Sequence, residues 1–75
     1  MVETDFPGSS SISKIRFDHI EGVLAVTFKS GKVYNYFGVK PELIDQLLEV
    51  KNVGDSAGKF FAKNIRNKFT FELVG

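Results

Sequence analysis

The sequence predicts a small α+β domain, an antiparallel sheet of three to four strands in β-β-β-α-α-β order with two helices on one face. Three observations predict it. Apolar residues alternate with period two in three early segments and again near the end. Two consecutive segments, Pro41 to Val50 and Ser56 to about Asn67, carry their apolar residues at helical spacing instead. The connections are short, which favours an antiparallel meander over parallel crossovers. A chain of 75 residues supports one core, near the small end of what folds unaided.

Met1 to Ser9 has Pro, Gly and Ser but no period, so residues 1–9 are expected to be a flexible terminus and residues 10–75 the domain. Ser11 to Asp18 reads as the first strand. Ile15 and Phe17 alternate while Ile12 falls out of phase, which predicts a bulge or bend near Ser13. His19 to Gly22 turns the chain. Val23 to Lys29 is a strand with Leu24, Val26 and Phe28 on one face, and Lys32 to Phe37 returns. Ser30 is a poor residue for the positive φ of a two-residue loop. A three-residue loop with Gly31 left-handed suits the sequence better. It pairs Phe28 with Lys32, Val26 with Tyr34 and Leu24 with Tyr36, so both tyrosines share the Leu24/Val26/Phe28 face.

Pro41 suits the first position of a helix, and Glu42 favours its N-terminal end. Leu43, Ile44, Leu47 and Leu48 form its apolar stripe, and Asn52-Val53-Gly54 breaks it. Asp55 or Ser56 caps the second helix. Phe69, Phe71 and Leu73 alternate as a short last strand.

Composition narrows the function. Eight Phe and two Tyr within a 43% hydrophobic chain supply one aromatic-rich core. With no cysteine and one histidine, neither a disulfide nor a thiolate metal site is available. His19 reads as a surface turn residue. No spacing gathers a nucleophile, base and orienter, so the protein is expected not to be an enzyme and to need no cofactor. No apolar run reaches the length of a membrane span, and the start lacks the regions of a signal peptide; a cytoplasmic protein without a membrane partner is expected.

The formal net charge of +1 hides an asymmetry: Lys51 to Lys68 holds five cations and one anion, and the rest of the chain five cations and eight anions. At about 100° per residue, Lys59, Lys63 and Arg66 fall in one sector of the second helix, with Ala57, Phe61 and Ile65 opposite. Such a row is either a solvated face or an anion-binding one. The helix start, Gly54 to Lys59, includes Ser56 and Gly58 and offers free amides to a phosphate, although Asp55 would repel it. It is not a P-loop, since Val53 and Phe60 stand where the pattern needs glycine and a hydroxyl. Tyr34 and Tyr36 are either stacking residues for bases or core-edge residues, and core-edge placement follows if their face lies under the helices. Phe37, on the other face beside Val33, would then be the more exposed aromatic.

A wider pattern resembles a known family. It runs Ser9 to Ile12, Ile15, Phe17-Asp18, Leu24, Val26, Phe28, Gly31, Tyr34-Asn35-Tyr36, Gly38-Val39 and Pro41. It continues through Ser56, Gly58, Phe60-Phe61, Ile65-Arg66 and the aromatic at Phe69. Residues 9 to 70 resemble the KTSC domain, found at the C-terminus of some lysyl-tRNA synthetases and as a free-standing protein of bacteria and phages. Lys40 between Val39 and Pro41, Ala62 where Asn is expected and Phe69 where Tyr is expected depart from that family's pattern. The resemblance implies no assigned active site, and attachment to a tRNA-charging enzyme makes RNA binding the usual suggestion.

The first expectation is therefore a module that binds nucleic acid, RNA in particular, through Ser56, Gly58, Lys59, Lys63, Arg66 and Lys68, with Tyr34 or Tyr36 against a base. The second is a pocket for a small phosphorylated ligand or nucleotide. The third is a protein-interaction module using Val23, Ala25, Val33 and Phe37, as a monomer or weak homo-oligomer.

Overall fold

The computed structural model describes residues 2–51, 53 and 56–75. Five strands and two helices follow one another as β1 (Val2–Asp5), β2 (Ile12–Asp18), β3 (Val23–Phe28), β4 (Val33–Phe37), α1 (Pro41–Val50), α2 (Ser56–Asn64) and β5 (Phe71–Leu73). The sheet is a five-stranded antiparallel meander in the order β1-β2-β3-β4-β5. The α+β class and the helices on one face are as the sequence predicts; the sheet has one strand more.

That extra strand is β1, within the stretch expected to lack regular structure. Val2 and Thr4 lie opposite Phe17 and Ile15, while Glu3 faces Arg16 and Asp5 faces Lys14, so opposite charges pair across the strands. Just beyond, Phe6 is fully buried and its amide donates to the Ser13 carbonyl at 2.9 Å. The buried Ser9 hydroxyl accepts from the amides of Ser11 and Ile12 at 3.2 and 3.0 Å, closing the turn into β2. Lys51 Nζ donates to the Asp5 carbonyl at 3.4 Å and lies 5.9 Å from the centre of the Phe6 ring. Four residues with two charges show too little periodicity to announce a strand. The partner edge of β2 and the pocket for Phe6 exist only once the sheet has formed.

The predicted bulge is present: the β2–β3 register shifts between Ile12 and Lys14. It lets Ile12 join Ile15 and Phe17 in the core despite the odd spacing. At the next turn, Asp18 Oδ1 accepts from the amides of Ile20 and Glu21 at 3.0 and 3.2 Å. The β3–β4 hairpin has the register argued from its loop. Leu24 faces Tyr36, Val26 faces Tyr34, and the Phe28 amide donates to the Lys32 carbonyl at 2.9 Å. Gly31 has φ +95°, and its amide donates to the Phe28 carbonyl at 2.9 Å.

Helix α1 has the predicted bounds, with Pro41 in its first turn and Lys40, the residue inserted before it, as N-cap. Helix α2 ends sooner than expected, at Asn64 instead of about Asn67. The Phe61 carbonyl accepts from both the Ile65 and Arg66 amides, at 2.9 and 3.0 Å, and the Asn64 side chain donates to the Phe60 carbonyl at 3.1 Å. Asparagine at both 64 and 67 is a weak helix former, so the last turn opens out. Asp55, offered above as a cap, lies outside the described residues.

One core holds these elements together. Ile15, Phe17, Leu24, Val26 and Tyr36 cover one sheet face, and Ile44, Leu47, Ala57, Phe61 and Ile65 meet them from the helical side. Helix α2 thus buries the stripe predicted for it, with Lys59 and Lys63 exposed. The opposite sheet face carries Val23, Ala25 and Val33 half-buried and Phe37 at its margin.

Candidate binding cleft

A cleft of about 560 Å³ opens where the β3–β4 hairpin, the serine segment before β2 and the turn after α2 converge. At the hairpin end it is lined by Lys29, Ser30 and Lys32, with Ser10 and Ser11 beside them. The Lys29 amide donates to the Ser11 carbonyl at 2.7 Å, which ties the serine segment to the hairpin. Lys32 lies on the Tyr34 side because alternate residues of a strand share a face.

The inner wall is aromatic. Tyr36 is buried at 3% exposure, edge-on to Phe61 with ring centres 5.2 Å apart. Tyr34 is half-buried and edge-on to Phe28 at 5.7 Å. Phe71 in β5 lies directly opposite Tyr36, its ring centre 5.6 Å from Tyr36 and 5.8 Å from Tyr34. Phe71 remains 52% exposed, more than Phe37 at 36%. Phe37 is more exposed than either tyrosine, as expected, but the most open ring next to the cleft is Phe71.

The turn after α2 completes the rim with Arg66 and Asn67. Had the helix run on, Arg66 would have continued the row of Lys59 and Lys63; because it opens at Asn64, Arg66 lines the cleft instead. Its charge is felt at Tyr36. Burial pushes the Tyr36 phenol above its ordinary value, Arg66 partly offsets that, and Tyr34 adds to the rise. Lys29, Lys32 and Arg66 give the cleft three cations, and among the described residues no carboxylate lines it.

Of the residues picked from sequence, Tyr34, Tyr36 and Arg66 come together here. Lys59 and Lys63 are exposed on α2, Lys68 is exposed beyond it, and Ser56 and Gly58 are half-buried in its first turns; none of these five lines the cleft. Gly54 and Asp55 of the suggested phosphate-binding helix start lie outside the described residues. Lys29, Lys32, Asn67 and Phe71 were not singled out. Lys32 and Phe71 were within reach: the hairpin register puts Lys32 opposite Phe28, and alternation puts Phe71 in phase with Phe69 and Leu73. Among the described residues no cluster of His, Asp or Glu suits a metal ion, and no helix is long and apolar enough to cross a membrane.

Fold and cleft define a small α+β domain, a meander sheet backed by two helices with a cationic cleft at one edge. The chain belongs to the KTSC domain family, whose model matches residues 8–69. It is 36% identical over 53 residues to an uncharacterized protein of Stutzerimonas stutzeri, covering 71% of this chain and 75% of that one. It is 35% identical over 68 residues to a lysine–tRNA ligase of Nostoc punctiforme, covering 91% of this chain but only 11% of the ligase. The crystal structure of a KTSC domain protein from Yersinia pestis superposes with a TM-score of 0.83 at 26% identity, covering 99% of this chain and 97% of that one.

Proposed function

We propose that this domain is a non-enzymatic module that binds single-stranded RNA, with the cleft as its principal contact. The observation that carries this reading is the convergence of Lys29, Lys32 and Arg66 on a pocket with an exposed phenylalanine and no described carboxylate. Cations hold phosphates without regard to sequence, and open aromatic rings accept unstacked bases. Paired bases are stacked within a duplex and leave no free face for Phe71, so a single strand fits better. Lys63, three residues before Arg66, and Lys68, two after it, extend the positive potential outside the cleft. The related segment in a lysine–tRNA ligase, a protein that by its name acts on tRNA, agrees with an RNA partner and a cytoplasmic setting.

With three to five phosphate contacts, affinity is expected on the order of micromolar and strongly salt-dependent. Fluorescence anisotropy with a labelled RNA oligomer tests it. The double variant Lys29→Glu/Lys32→Glu is expected to weaken binding by at least roughly tenfold, and the slope of log affinity against log salt to shrink by about 1.4 for the two lost contacts. Unchanged affinity in a folded double variant would rule out the cleft as the contact surface.

A further inference from the structure

We infer that the cleft is a one-nucleotide subsite, with the phosphate at the hairpin end on Lys29 and Lys32 and the base against Phe71 and Tyr34. This rests on the RNA-binding reading for its ligand class and adds where each part of the nucleotide goes. The cleft is chemically graded along β4. Lys32, Tyr34 and Tyr36 are alternate residues on one face, so their side chains follow one another at intervals of about 6.6 Å. Ammonium groups and serine hydroxyls therefore cluster at one end and rings at the other. That order and spacing suit a phosphate and a base joined through one sugar.

The base end has its own signature. Phe71 keeps 52% of its surface exposed although Tyr34 and Tyr36 pack beside it. A large ring left open next to cations is an unusual use of a phenylalanine in a domain with so little core to spend. Arg66 and Asn67 stand at the same end. A guanidinium stacks on a base as readily as a ring does, and an amide supplies both a donor and an acceptor for a base edge. The volume, about 560 Å³, falls within the range of small-ligand pockets and is too small for a stacked oligomer.

Adenosine monophosphate, uridine monophosphate and ribose 5-phosphate separate the two ends. In backbone amide NMR titrations, both nucleotides are expected to shift Lys32, Tyr34, Arg66 and Phe71. Ribose 5-phosphate is expected to bind roughly 5- to 150-fold more weakly, the equivalent of one stacked base, and to shift the hairpin alone. Phe71→Leu keeps an apolar side chain without a ring and is expected to bring nucleotide binding down to the ribose 5-phosphate level. Phe71→Tyr is expected to preserve it. Nucleotides binding no better than ribose 5-phosphate, or Phe71→Leu without effect, would overturn the subsite. An oligomer that binds while neither nucleotide does would overturn the subsite and leave RNA binding standing. Nucleotides that bind as tightly as an oligomer would support the subsite and remove the case for a polymer ligand.

Discussion

Tyr36 and Arg66 are separated by 30 positions in the chain and become electrostatic neighbours only in the folded protein. The phenol is raised above its ordinary 10.0 chiefly by burial. The native state therefore holds the proton more tightly than the unfolded chain does. The resulting stabilisation is fully present below the unfolded value and is lost as pH climbs from about 10.0 through the native value. Urea unfolding at rising pH should reveal that loss in the wild type, and Tyr36→Phe should remove this component. Arg66→Gln takes away the lowering influence, so a tyrosinate absorbance titration is expected to place Tyr36 higher still; no movement would separate the two groups. Phe6 offers a second test. Truncation of a fully buried Phe costs about 3–5 kcal/mol, a large share of the roughly 4–11 kcal/mol expected for a chain of this length. Phe6→Ala should therefore shift the denaturant midpoint far down, and a shift within error would place Phe6 outside the cooperative core.

The β3–β4 hairpin carries both fold and cleft. Gly31→Ala meets no atom within 4 Å, so its cost comes from φ +95° alone, about 1–2 kcal/mol. Chemical denaturation should report that loss, with the register kept by Val26 against Tyr34 and Leu24 against Tyr36. Helix α2 contributes differently. Its lysines are exposed and outside the cleft, while Arg66 enters the cleft through the opened last turn. Lys59→Glu and Lys63→Glu are accordingly expected to weaken RNA binding less than Lys29→Glu/Lys32→Glu at equal salt. The opposite ranking in anisotropy titrations would return the principal contact to the helix face.

At the scale of the molecule, one core joins an N-terminal segment, two helices and the sheet. The family model begins at residue 8, yet β1 and Phe6 lie before that point and pack onto the rest. Deleting residues 1–8 removes the outer strand and a buried phenylalanine together. It is expected to destabilise by at least as much as Phe6→Ala, read as a lower thermal midpoint by circular dichroism. An unchanged midpoint would make β1 an ornament on an independent domain.

Much of this was legible locally. The alternation in Val23 to Lys29, the helical stripe after Pro41 and the Ser30-Gly31 loop each involve neighbours a few residues apart, so the sequence by itself determined the α+β class, the hairpin register, the bulge after Ile12 and the buried side of α2. Other features depended on distant partners. Strand β1 needed an open edge on β2 and a pocket for Phe6. The position of Arg66 depended on two amides sharing the Phe61 carbonyl, which no periodicity announces. Sequence placed the cations on a helix because charge there repeats every three or four residues. Only the tertiary structure brought Lys29, Lys32, Arg66 and Phe71 from four separate places in the chain to one cleft, because a surface is made by chain segments that meet after they fold.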